Sequence, residues 1–262
     1  MKIIYIISCT MLFTSCNITE MVGTTGIIGM FIIMILIFAG MFTLIIRSRR
    51  KKDLSLTSFS HEVKNMLDRI ASQKDKVRAL QQLIERIEGD EKYKKTPDWK
   101  NSVLAKVYEH LAAVYFNAGD EAGVIDACTH IIALNPSHGM SYYNRGSIYN
   151  NQEQFEKAIH DFNDAITLMP DYSNAYNNRG LAYDRLGRYE EALSDFNYAI
   201  ELEPSAIIYY NRASLQYEKQ NYTEAKNDYS KYLELDPDNK DGLKVYAEAA
   251  IDLIEKKLSE EK

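Results

Sequence analysis

From residue 142 the apolar positions of the chain recur at intervals of three and four, break, resume, and then the whole pattern is written again. YYNRGSIYNNQEQFEKAIHDFNDAITLMP (142–170) is followed by YNNRGLAYDRLGRYEEALSDFNYAIELEP (176–204). Gly146 returns as Gly180, Tyr149 as Tyr183, Phe155 as Tyr189, Ala158 as Ala192, Phe162 as Phe196, Ala165 as Ala199 and Pro170 as Pro204, and every step is 34 residues. Such intervals place the recurring residues on one face of a helix, with two helices per unit. A fixed period of this size means stacked supersecondary units, each contacting only its neighbours. The frame extends outward. Upstream, Tyr108, Leu111, Ala112, Tyr115, Gly119 and Pro136 fit it; downstream, Tyr209, Ala213, Tyr222, Ala225, Tyr229 and Pro237 fit after a one-residue deletion near Ser205. The prediction is an all-α solenoid of four helix hairpins at 105–138, 139–172, 173–205 and 206–239, within a domain spanning 98–262. Leu243, Tyr246, Ala250, Ile254 and Leu258 add an amphipathic helix over 240–258, the cap that a stacked array requires.

The residues before the array follow a different pattern. An apolar block over 3–13 lies within a leader-like stretch, 1–25. As a helix it would rise only ~20 Å, short of a ~30 Å hydrocarbon core, and it has the shape of a secretory h-region. Phe13-Thr14-Ser15-Cys16 resembles a bacterial lipobox, which makes Cys16 a candidate for lipidation; the other reading is an uncleaved leader. Residues 26–46 carry no charge over 21 positions, long enough for a transmembrane helix. Arg47, Arg49, Arg50, Lys51 and Lys52 follow at once, so the positive-inside bias predicts a single-pass protein of the bacterial inner membrane with its repeats in the cytoplasm. Residues 47–60 read as a basic flank and flexible linker.

A helical stalk or degenerate repeat is expected over 61–97. Val63, Met66, Ile70, Val77, Leu80, Ile84 and Ile87 fall on heptad positions a and d, with Gln73 the one break. Two readings stand: a parallel coiled coil joining two copies through 63–87, or a helical hairpin that covers the first repeat, with Ala79 and Leu83 in repeat-like places. Pro97 opens the next helix and Asp98 suits its first turn.

Tyr142, Gly146, Tyr149, Phe155, Ala158, Phe162, Ala165 and Pro170, with their equivalents, give 105–239 a pattern that resembles the tetratricopeptide repeat family. The resemblance implies hairpins closed by small residues and wedged apart by aromatic ones, and a concave face lined by the first helix of each repeat. On that face would stand Lys106, Glu109, Asn117, Tyr143, Asn144, Ser147, Asn151, Asn174, Asn177, Asn178, Arg185, Tyr210, Asn211, Ser214 and Tyr217. Asparagine offers donor and acceptor together, so a ladder of them suits an extended peptide backbone, while tyrosine adds contact area with few rotors. The same asparagines also admit a packing role, since Asn144, Asn178 and Asn211 each precede an arginine. Some family members clamp an acidic chaperone tail with basic residues. The matching places here carry Glu109, Ala113, Asn144, Asn174 and Asn178, which does not suit such a tail. Those arginines, Arg145, Arg179 and Arg212, are each followed sixteen residues later by Asp161, Asp195 or Asp228, the spacing for an ion pair across each hairpin. A pair that recurs three times is structural rather than catalytic.

Composition narrows the function further. A net charge of −6 without a basic stripe in the repeats argues against nucleic acid. Cys128 and His130 are two apart and so face different ways on a helix, which is no metal spacing. No phosphate loop, G-x-S-x-G, H-E-x-x-H or calcium loop occurs, so neither an enzyme nor a cofactor is expected. The expected role is a membrane-anchored adaptor that binds a protein partner on the concave face; the alternative is a self-associating scaffold, dimerised by its stalk, whose groove holds no ligand.

Overall fold

The computed structural model describes residues 56–90 and 96–260. The leader, the 26–46 span, Cys16 and the basic run after the span all lie outside them. Among the described residues no helix is long and apolar enough to cross a membrane. The chain divides into two compact units, Met1–Ser58 and Phe59–Lys262, and the second contains the array.

Every element among the described residues is helical. Helix α1 covers 56–68 and α2 Gln73–Gly89. Four hairpins follow: α3 (Pro97–Ala118) with α4 (Glu121–Leu134), α5 (Gly139–Asn151) with α6 (Phe155–Leu168), α7 (Ser173–Arg185) with α8 (Tyr189–Leu202), and α9 (Ala206–Glu218) with α10 (Tyr222–Leu235). Helix α11 (Lys244–Glu260) closes the stack against α10. From α2 onward each helix packs on the next in sequence, the nearest-neighbour topology of a solenoid.

Inside the hairpins the small residues do what the recurrence implied. A Cβ added to Gly146 would stand 3.0 Å from the Phe162 ring, and one added to Gly180 only 2.9 Å from the Phe196 ring. Ala158, Ala192 and Ala225 are completely buried on the opposing helices. The turn between the paired helices passes through the left-handed region at the same register position every time: Gly119 (φ 70), Glu153 (φ 58), Gly187 (φ 71) and Gln220 (φ 64). Two of these four are not glycine and carry a backbone cost of about 1–3 kcal/mol, of which glycine's own entropy would return part. Glu153→Gly is therefore expected to stabilise the array by about 0.5–1 kcal/mol. A lower urea midpoint for that variant would contradict the turn geometry.

The structure corrects two boundaries. The stretch read as linker is already helical from 56. Helix α3 starts at Pro97, as the sequence implies, and its turns ahead of the repeat frame at 105 pack on α2, where Lys100 Nζ donates to the Glu88 carbonyl at 2.9 Å. The last helix begins at Lys244 rather than 240. Asn239 (φ 55) and Gly242 (φ 78) hold the preceding residues in a loop, and Asp236 and Asn239 accept backbone N–H groups within it.

The stalk is not a continuous coiled coil. Ser72 has extended backbone angles and caps α2 by accepting from the Asp75 N–H at 3.4 Å, so the heptad run is cut in two. Four of its seven heptad residues, Val63, Leu80, Ile84 and Ile87, are buried within one chain, as is Leu67 beside them. Ser60 Oγ and His110 Nε2 lie 3.0 Å apart and fasten α1 to α3. Of the seven heptad residues over 63–87, only Met66, Ile70 and Val77 stay partly exposed.

Candidate functional site

A cleft of about 640 Å³ opens between α3 and α5. Ala112, Ala113 and Phe116 form one wall, Met140, Tyr143 and Ile148 the other, and Val124, Cys128 and Ile131 of α4 close the floor. Phe116 is 69% exposed and Met140 38%, large apolar side chains that water would otherwise cover. The polar rim is Glu109, Asn117, His138, Asn144, Ser147 and Asn151. Lys106 Nζ donates to both Glu109 oxygens at 2.8 Å, and His138 Nε2 stands 3.4 Å from Oε1. Burial acts to raise the Glu109 carboxyl, but His138 and Lys106 outweigh it and hold the group below its ordinary value. The rim therefore keeps a carboxylate that is already paired. An apolar floor with a few convergent polar groups is the usual chemistry of a recognition site.

Beneath the cleft, burial pushes the Cys128 thiol up to about 11. A thiol so shifted is protonated at neutral pH and a poor nucleophile or ligand. His130 points elsewhere and stacks on Tyr108 with ring centroids 4.6 Å apart. In a Cys9→Ser/Cys16→Ser chain, Cys128 is expected to react with a thiol reagent at pH 8 only on unfolding; fast labelling of the folded chain would contradict its burial.

Across the hairpins runs a ladder of charged groups. Arg145 donates to Asp161 through Nε and Nη2, both at 2.8 Å; Arg179 meets Asp195 at 2.8 and 2.7 Å, and Arg212 meets Asp228 at 2.7 and 2.8 Å. The remaining nitrogen of each guanidinium reaches back to the preceding hairpin. Nη1 donates to Thr129 Oγ1 at 3.0 Å, to Asn163 Oδ1 at 2.6 Å and to Asn197 Oδ1 at 2.6 Å. Each arginine thus ties three helices together. His160, Asp161 and Asp164 are the one set of metal-ligand types gathered within 4.8 Å among the described residues, but both Asp161 oxygens are taken by Arg145.

Comparison with known proteins agrees with this geometry. Models of the tetratricopeptide repeat match 173–205, 206–239 and 127–160, and a TPR repeat model matches 146–187. Residues 127–239 carry tetratricopeptide repeats. Among solved structures, MamA 41-end from Desulfovibrio magneticus RS-1 superposes with a TM-score of 0.58 at 18% identity, covering 71% of this chain and 97% of that one. Another MamA crystal structure gives 0.54 at 20% identity, covering 72% and 93%. A thermophilic TPR protein of Thermus thermophilus gives 0.50 at 20% identity, covering 69% and 99%. Likeness at these identities establishes the fold alone. No curated protein matches the chain in sequence.

Within the tetratricopeptide array the residues expected on the concave face separate into two groups. Asn144 and Asn151 are exposed on the cleft rim, Asn174 is exposed on α7, and Arg185 with Asn151 lines a smaller depression of about 370 Å³ beside it. Asn117 is likewise exposed on the rim, while the asparagines and tyrosines further along are taken up within the array itself. Asn211 Nδ2 donates to Asn177 Oδ1 at 2.9 Å, Asn177 Nδ2 to Asn178 Oδ1 at 3.2 Å, and Asn178 Nδ2 to the Tyr143 hydroxyl at 3.2 Å. Asn177 is buried, Asn178 and Asn211 are half-buried, and this relay joins three successive repeats. Tyr210 packs edge-on to Tyr229 and Tyr232, and Tyr217 to Tyr222, so these rings serve the core more than the groove. Phe116 and Met140 did not emerge from the sequence. The signal was present: 34 residues on, their positions carry Asn150 and Asn174, so each is an apolar residue where the next copy is polar.

Proposed function

We propose that the protein is a membrane-anchored adaptor that holds an extended segment of a protein partner in the cleft between α3 and α5. The observation that carries this reading is the exposure of Phe116 and Met140 over an apolar floor, with Asn117, Asn144 and Asn151 free on the rim to pair with a peptide backbone. The anchor rests on the uncharged 26–46 stretch and the basic run after it, which orient the repeats toward the cytoplasm. The paired state of Glu109 and the absence of a lysine or arginine from the cleft lining favour an apolar side chain over an acidic tail as the occupant.

The test is a crosslinked pull-down with the full chain in membranes, comparing wild type with Phe116→Asp/Met140→Asp. The double variant is expected to lose the wild-type partner while keeping its helical content, because both side chains are exposed and neither supports the core. Recovery of the same partner by both proteins would remove the cleft from the account.

A further inference from the structure

Each later hairpin carries a ring where the first has none. Cys128 returns as Phe162, Phe196 and Tyr229, and all three are buried. Glu109 returns as Tyr143, Asn177 and Tyr210. Tyr143 tilts onto Phe162 with ring centroids 6.1 Å apart, and Tyr210 meets Tyr229 edge-on at 5.5 Å. The first hairpin therefore lacks a ring at both of these places. Ala112 and Ile131 stand where the second hairpin has Gly146 and Ala165, and they take up only part of the room. Glu109 does not cover the rest, because Lys106 and His138 hold its carboxylate to one side. The cleft opens at this place, with Cys128 and Ile131 in its floor.

We infer that the segment held in the cleft carries an aromatic side chain whose ring sits over Cys128, supplying from the partner the stack that later hairpins build from their own residues. This rests on the cleft being the seat of a partner's segment and names the side chain that fills it. Three features favour a ring over an aliphatic or charged group. The seat is the one that a phenylalanine or tyrosine of this chain fills in every later hairpin. Its walls carry Phe116 and Met140, and both another ring and a thioether pack well against an aromatic side chain. The third is charge. His138 and Lys106 keep Glu109 ionised at the rim, where it would repel a carboxylate. The edge of a ring carries partial positive charge and a phenol adds an O–H donor, so either suits that carboxylate.

The probe is a phage-displayed library of random twelve-residue peptides, panned on the full chain in detergent micelles and counter-selected on Phe116→Asp/Met140→Asp. Peptides that need those two side chains are expected to share a phenylalanine, tyrosine or tryptophan at one position. Replacing that residue by alanine in the synthetic peptide is expected to raise Kd about 30-fold, and by leucine about fivefold. Two variants test the seat itself. Glu109→Tyr and Cys128→Phe each supply from this chain the ring that the second hairpin has, and each is expected to weaken the same peptides about tenfold with helical content kept. Glu109 is half-exposed, so its replacement disturbs no core even where Cys128→Phe crowds Ala112. An aliphatic anchor, or peptides indifferent to Glu109→Tyr, would overturn the ring while leaving the cleft as the seat. A selection in which no peptide depends on Phe116 and Met140 would remove the cleft and the ring together.

Discussion

Replacing Arg179 by alanine is expected to destabilise the array by about 3–5 kcal/mol, the cost of leaving a buried carboxylate without its partner. The Asp195 side chain is 8% exposed and that of Arg179 19%, so neither is well hydrated in the folded chain. Burial alone pushes the Asp195 carboxyl above its ordinary value, and the guanidinium acts against it. Removing Arg179 also breaks the 2.6 Å bond to Asn163, which loosens α7 from α6 as well as from α8. Asp195→Ala leaves the cation partly solvated and is expected to cost less. The double variant removes both charges and is expected to lose well less than the sum of the two single losses, giving a coupling of about 0.5–3 kcal/mol in a double-mutant cycle followed by urea unfolding. Additive losses would mean that the two groups are neighbours without being partners.

Phe196→Ala should cost about as much, roughly 3–5 kcal/mol, for a different reason. The ring is completely buried and fills the space between α7 and α8, pressed against the bare Cα of Gly180. Its loss forfeits the transfer of the ring from water and leaves a cavity that the two helices close only in part. The contact makes a second, signed expectation. In the wild type, Gly180→Ala drives a methyl into a ring 2.9 Å away and destabilises. In the Phe196→Ala background that obstacle is gone, and the same change regains the helix propensity that glycine lacks, about 1 kcal/mol. Urea midpoints of the four proteins decide it. A stabilising Gly180→Ala in both backgrounds would show that the helices are not in close contact there.

Much of this fold was legible because a repeat states its own register. Gly146 and Gly180 against Phe162 and Phe196, and arginine followed sixteen residues later by aspartate, recur at a fixed period, and recurrence separates structural positions from chance. What recurrence could not reveal is how successive hairpins sit on each other. The bonds from Arg145, Arg179 and Arg212 back to Thr129, Asn163 and Asn197 depend on that stacking, although those three residues are themselves 34 apart. The asparagines were ambiguous for the same reason: their alignment fits a peptide ladder and a relay between repeats equally well. Packing then assigned Asn177, Asn178 and Asn211 to the relay and left Asn144 and Asn151 at the cleft. The heptad over 63–87 misled because a and d spacing also describes a helix whose single apolar stripe packs inside its own chain. Ser72, which ends that continuity, is an ordinary capping residue that the periodicity overrode.

The left-handed turns belong to the same lesson. Gly119 and Gly187 mark their turns by residue type, but Glu153 and Gln220 hold the same conformation without a glycine to announce it. Their positions are found only by counting from the glycines.

The proposed seat of a partner's segment is the cleft between α3 and α5. Its most direct measurement is site-specific photocrosslinking in membranes, with the photoreactive residue placed at Asn144 or Asn151 on the cleft rim and at His160 on the far side of the second hairpin. One protein adduct shared by the two rim positions is expected, absent at His160 and lost when Phe116→Asp/Met140→Asp is added. The same adduct at His160, or a rim adduct indifferent to those two substitutions, would contradict it.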